Sequence, residues 1–305
     1  MKTGGPKDVV ASVQARLVDR SRELGVEHQL TLARFAGERL LYRLSTSESA
    51  DRFILKGATL LLLWLGEPIR PTKDVDLLGF GDTSADALED VFVALCAIQA
   101  DADGLTFVAD SVHVEPIRDG QEYGGMRVKL IAMLGHVRIP LQVDVGAGDA
   151  VVPPPDTKEF PGLLDLPRAT LRMYRPETAI AEKTEAMVRL GIANSRMKDF
   201  FDIYELATGK AFDGDTLRRA VAATFARRGT EIPPQRPLAL TEEFASPGKQ
   251  VQWAPFVRRT RRPELRQLAP VIEKLESFLW PVLRAAAREE PWPHQWSNGG
   301  PWEAR

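Results

Sequence analysis

Apolar residues recur at helical spacing along residues 7–48, where "DVVASVQARLVDRSRELG" ends on Gly25, and this predicts two or three helices. A short extended run follows at Phe53–Leu55, with a turn at Gly57. Residues 58–66 are almost wholly apolar and predict a short buried helix, closed by Gly66 and Pro68. "DVDLLGF" predicts a strand and "ADALEDVFVALCAIQA" a helix. Three extended runs come next, around Leu105–Ile117, Met126–Leu134 and Val137–Val145. The last alternates cleanly: Val137, Ile139, Leu141, Val143 and Val145 on one face, Arg138, Pro140, Gln142 and Asp144 on the other. Pro140 cannot donate to a ladder, which predicts an edge or a bulge. "GAGDAVVPPPDTKEFPG" breaks the pattern and places a boundary after residue 157. Beyond it the periodicity is helical at Pro176–Gly191, Arg196–Thr208, Asp215–Arg228 and Glu264–Glu289, interrupted by a Pro-rich loop over Gly229–Pro255. The Trp-rich end has no period. The expected fold is α+β, with a mixed-sheet domain over residues 1–157 and a mainly helical domain over residues 158–305.

Composition narrows the function classes. With 44% hydrophobic residues and no apolar run near the ~18–20 residues of a membrane span, the chain is expected to be soluble and cytoplasmic. The start "MKTGGPKDVVASVQ" has no apolar signal core. A single cysteine, Cys96, excludes a disulfide framework and sits in an amphipathic helical run as a core residue. Four scattered histidines argue against a zinc site. The net charge of −2 conceals a net −6 over residues 1–150 and +4 over residues 151–305. That asymmetry is compatible with a metal site beside a nucleic-acid surface without requiring one.

The sharpest local chemistry lies at "FILKGATLLLLWLGEPIRPTKDVDLLGF". Asp74 and Asp76, two apart on an extended segment, point to one face and repel unless a cation lies between them. Mg2+, or Mn2+, is such a cation. The alternative is a solvated strand end. Lys56 and Gly57 open a turn into a helix N-terminus, which suits an anion. Arg70 and Thr72 can donate to phosphate oxygens, and Asp144 offers a third carboxylate for metal. Three acids on neighbouring strands beside a Gly turn suit two-metal phosphoryl or nucleotidyl transfer.

In "AIAEKTEAMVRLG" Lys183 falls inside the apolar arc of a helix, opposite Glu182, Glu185 and Arg189. It either snorkels or reaches a ligand phosphate between domains. In "RMKDFFDIYELA" Asp199 sits at the edge of the packed face with Asp202 beside it, while Lys198 and Glu205 point to water. Asp199 wants a partner: Lys183, Arg196 or a metal-bound water.

Taken together, "FILKGATLLL", "RPTKDVDLL" and "EKTEAMVRLGIANSRMKDFFDIYEL" resemble the AbiEii/AbiGii toxin family. That family includes MenT-type nucleotidyltransferases and lies in the DNA polymerase β-like superfamily. The "WPHQWSNGGPW" end is similar too. The resemblance implies a two-lobed fold, with a polymerase β-like domain and a helical one. It implies metal-binding carboxylates at Asp74 and Asp76, the turn glycine at Gly57, a nucleotide-contacting lysine at Lys183, and the last acid at Asp199 or Asp202. Ala58 departs from the family's usual Ser or Gly, and the Thr59 hydroxyl or a backbone N–H could stand in for the lost phosphate contact. The resemblance also implies a toxin of a toxin–antitoxin or phage-defence system, with NTP as substrate, tRNA or another RNA as acceptor and a cognate antitoxin. "VRRTRRPELR", with Arg258, Arg259, Arg261, Arg262 and Arg266, could meet RNA phosphates or be a solvated helix start. Other readings are transfer to a protein or small molecule, or a non-catalytic ion network on the same fold. If transfer is the function, Asp74→Ala or Lys183→Ala should abolish it and leave the fold intact.

Overall fold

The computed structural model describes residues 6–100, 103–117 and 125–305. Residues 1–5, at the start that is expected to carry no signal, lie outside them. The chain divides into two interleaved compact units, not two consecutive halves. The first unit comprises the described residues within 1–59, 72–148 and 157–173, and the second residues 60–71, 149–156 and 174–305.

The first unit is built on a mixed sheet. In chain order its strands are β1 (Phe53–Lys56), β2 (Val75–Gly79), β3 (Leu105–Pro116), β4 (Met126–Leu134), β5 (Val137–Ala147), β6 (Asp156–Glu159) and β7 (Thr170–Met173), in the spatial order β3-β4-β5-β2-β1-β7-β6. β2 runs antiparallel to β1 and parallel to β5, and β1 runs parallel to β7. Helix α1 (Pro6–Leu24) packs on α2 (His28–Ser45); α2 packs on β5 and β7, and α4 (Ala85–Ala97) on β3. The alternation in β5 turns Ile139, Leu141, Val143 and Val145 into the core, where they meet Leu77 and Leu55 in the same layer. β5 is an interior strand, yet β2 pairs only with its Val143–Ala147 half. Pro140 lies in the other half, paired on the β4 side alone, so its missing N–H costs no ladder bond to β2. Cys96 is buried on α4, and burial pushes its thiol up to about 11, which suits a packing role.

The second unit holds α3 (Leu60–Leu65), α5 (Pro176–Leu190), α6 (Met197–Gly209), α7 (Gly214–Arg227), α8 (Pro247–Val257) and α9 (Ala269–Ala287). α5 packs on α6 and α7, and α9 on α6 and α7. α3 leans on α6, where Leu65 lies against Gly209. Only Leu60 and Leu61 of the apolar run are fully buried.

Part of the segment read as a Pro-rich loop forms α8. Pro247 stands in its first turn, where no N–H is needed, and Trp253 anchors it at 0% exposure. The Trp-rich end also has more order than its sequence suggests. β9 (His294–Trp296) pairs antiparallel with both β8 (Phe212–Asp213) and β10 (Trp302–Ala304) in a three-stranded sheet. Trp296 and Trp302 pack around Phe278, and Trp296 Nε1 donates to the Ala207 carbonyl at 2.6 Å. Among the described residues no helix is long and apolar enough to cross a membrane.

Candidate active site

Register brings the expected groups of the first unit onto one sheet row. Paired residues on adjacent strands share a face. Lys56 pairs with Asp76, Asp76 with Asp144, Asp144 with Arg127, and Arg127 with Glu115. The row therefore reads cation, anion, anion, cation, anion across β1, β2, β5, β4 and β3. Asp144 is gripped by Arg127, with Nε to Oδ1 and Nη2 to Oδ2 both at 2.9 Å, and Gln142 Nε2 donates to Oδ1 at 3.2 Å.

Asp74 lies one residue before β2 and is exposed; Thr59 Oγ1 donates to its carbonyl at 3.4 Å. Gly57 opens the turn with φ +79°, and a Cβ placed on it would sit 2.0 Å from Asp76 Oδ2. The glycine is thus the space in which the Asp76 carboxylate lies. Thr72 is half-buried in the segment before β2, and Ala58 stands inside the turn.

The second unit gathers a different group. Lys183 Nζ is 2.9 Å from Asp199 Oδ1 and 2.8 Å from Asp202 Oδ2. Arg196 Nε donates to Asp199 Oδ2 at 2.6 Å. Arg70 grips Asp202 through Nε at 2.6 Å and Nη2 at 2.8 Å. Both carboxylates are fully buried. Lys183, Asp199, Asp202 and Arg70 thus satisfy one another, and Arg70 reaches a partner 132 positions away.

Burial pushes the Asp199 carboxyl up, but Lys183 and Arg196 outweigh it and hold it at about 2. Burial would lower Lys183, but Asp199 and Asp202 reverse this and raise it, so the ammonium persists through the neutral range. Because the folded value of Asp199 lies below the ordinary carboxylate value, its contribution is complete above about pH 4 and is lost as pH falls toward about 2. That contribution is of the order of 2 kcal/mol at neutral pH. Denaturant unfolding followed from pH 6 downward is expected to show this acid limb, flattened in Asp199→Asn. An unchanged limb in that variant would contradict the assignment.

Glu205, expected to face water, and Glu185, placed opposite the apolar arc, are both buried. Glu205 receives Arg262 at 3.1 Å, and Arg262 also meets Glu67 at 2.8 Å. Glu185, fully buried, accepts from Arg189, Arg228 and Thr230. Apart from Arg189, one turn on in the same helix, these partners come from other elements, which helical periodicity could not find. Arg127 was missed for the same reason; its signal was a basic position on the polar face of β4. Of the basic stretch, Arg258, Arg259, Arg261 and Arg266 are exposed.

Among the described residues, no group of three or more His, Cys, Asp or Glu could hold a metal ion together. The donor set at Asp74 and Asp76 still fits Mg2+, which takes hard oxygens, is commonly held by one or two carboxylates and keeps waters and phosphate oxygens. The Gly57 space, which seats Asp76 beside the turn, is consistent with that fit.

Comparison with known proteins gives three results. Among solved structures, JHP933 from Helicobacter pylori aligns at 15% identity over 86% of this chain and 92% of its own, with a TM-score of 0.47. A candidate nucleotidyltransferase from H. pylori aligns at 13% identity over 87% and 95%, with a TM-score of 0.44. No curated protein matches the chain. The family model for the nucleotidyl transferase AbiEii toxin of type IV toxin–antitoxin systems matches residues 39–280, from α2 into α9. This chain belongs to the AbiEii nucleotidyltransferase toxin family.

Proposed function

We propose that this nucleotidyltransferase moves a nucleoside monophosphate from an NTP to an RNA hydroxyl, with the 3′ end of tRNA as the first acceptor to test. The observation that carries the reading is the seating of Asp76 against Gly57, two positions from Asp74 across a strand start. Asp74 and Asp76 would hold Mg2+ or Mn2+, which when bound neutralises triphosphate charge and lowers the pKa of an attacking hydroxyl. Lys56, Thr59 and Thr72 supply donors for phosphate oxygens near those acids, and the open backbone of Gly57 lets a phosphate approach. The acceptor hydroxyl gives up its proton to solvent as its oxygen attacks the α-phosphorus, the bond to the oxygen bridging to the β-phosphorus breaks, and pyrophosphate leaves. As part of the proposal Lys183 keeps its family-implied nucleotide contact, Asp199 or Asp202 the role of the family's last acid, and Arg70 its reading as a phosphate donor. Exposed Arg258, Arg259, Arg261 and Arg266 supply phosphate contacts for RNA. An antitoxin partner follows from the type IV family, and with an RNA acceptor the proposed activity is a cytoplasmic one.

The test is incubation with total tRNA, Mg2+ and each α-labelled NTP in turn. Label is expected on RNA with at least one NTP, falling by about 100-fold or more in Asp74→Ala and Asp76→Ala. Undiminished label in Asp74→Ala would remove the metal assignment. RNase-resistant label in a protein fraction would move the acceptor to protein.

A further inference from the structure

Asp144 stands beside Asp76 on the neighbouring parallel strand, and two carboxylates so placed repel unless a cation compensates them. For Asp144 the chain supplies that cation. Arg127, directly across on β4, presents its guanidinium fork to both carboxylate oxygens at 2.9 Å. Gln142, two residues earlier on β5, adds a donor to Oδ1 at 3.2 Å. An ionised carboxylate has about four lone-pair directions. Three are therefore spoken for, including both that a bidentate ligand would use. Asp76 is differently placed. Its register neighbour on the far side is Lys56, whose ammonium has no fork geometry.

We propose that Arg127 is a positioning residue. It keeps Asp144 from ligating the divalent cation and holds it as a fixed negative group beside Asp76, leaving Asp74 and Asp76 as the protein's ligands. The inference rests on the metal reading above. Its physical content is that the Arg127 fork and an inner-sphere cation compete for the same oxygens. Register fixes both residues on paired strands, so Asp144 cannot serve a cation through both oxygens without breaking two charge-assisted bonds. The pair is only partly exposed, with side-chain exposures of 29% for Arg127 and 22% for Asp144, which limits competition from water.

Mn2+ binding to the full chain, read from the free-ion electron paramagnetic resonance signal, tests this. Removing a true ligand, in Asp76→Asn, is expected to weaken Mn2+ binding at least about tenfold, whereas Asp144→Asn changes it by no more than about twofold. Arg127→Met releases Asp144 as an added ligand and tightens binding by about tenfold, and the gain disappears in Arg127→Met/Asp144→Asn. A merely structural arginine would not tighten metal binding when removed. Tenfold weakening in Asp144→Asn, with Arg127 intact, overturns the inference, and so does an Arg127→Met protein that binds like wild type. Asp144→Asn decides the matter even if Arg127→Met fails to fold. The metal reading fails separately: in that case Asp76→Asn leaves Mn2+ binding unchanged. Absence of Mn2+ uptake by both wild type and Arg127→Met overturns both.

Discussion

Gly57→Ala is expected to abolish nucleotidyl transfer and to cost roughly 2–5 kcal/mol of stability, combining left-handed backbone strain with overpacking. The backbone there has φ +79°, a conformation that an L side chain adopts only at a penalty. The larger difficulty is space. The added methyl would lie 2.0 Å from Asp76 Oδ2, 2.6 Å from its Cγ and 2.7 Å from its Cβ. Rotating the carboxylate away relieves the first two contacts and leaves the third, so β1 and β2 must also separate where Lys56 pairs with Asp76. Activity and thermal melting of Gly57→Ala measure the two effects. Adding Asp76→Gly should restore part of the stability, because the clashing side chain is gone, and none of the transfer. A Gly57→Ala protein within twofold of wild-type transfer would sink the claim that this glycine seats the acid.

Lys183→Ala carries the second large effect, and it reverses the expectation drawn from sequence that the fold would survive the change untouched. The ammonium lies within 3 Å of two fully buried carboxylates. Its removal leaves Asp199 with Arg196 and Asp202 with Arg70, each pair short of one donor in a dry setting. Breaking a buried ion network in this way costs about 3–5 kcal/mol. At about 2–4 °C per kcal/mol, the melting temperature falls by roughly 10 °C. A double variant with Asp199→Asn removes one of the two carboxylates left short of a donor and is expected to regain part of the loss. Lost transfer with an unchanged melting temperature would instead assign Lys183 to chemistry alone.

These two predictions differ in how far sequence could reach them. Gly57, Asp74 and Asp76 lie within twenty positions, and their grouping follows from a turn and a strand period of two. The placement of Lys183 in an apolar arc was equally legible, because a helical wheel needs only the local string. The identity of its neighbours was not. Arg70 meets Asp202 across 132 positions, and Arg127 meets Asp144 through the register of two strands. Periodicity says which face a residue occupies, never which element covers that face. Glu205 and Glu185 show the same limit: each fell on the polar side of its helix, and each is buried by an arginine from elsewhere.

By itself, then, the sequence determined the local elements with strong period: β2, the alternating β5, and helices α5, α6, α7 and α9. It also determined the motifs that place the chain in its family, since these are short, ordered strings. Only the tertiary structure decided that Leu60–Leu65 joins the helical unit rather than the sheet, that Pro-containing residues 247–257 form a helix, and that the Trp-rich end pairs as strands. It alone decided that Asp144 belongs to Arg127. The reason is common to all four. Hydrophobic period and turn chemistry act over a few residues, whereas packing partners and ion pairs are set by contacts between segments far apart in the chain, which local patterns do not encode.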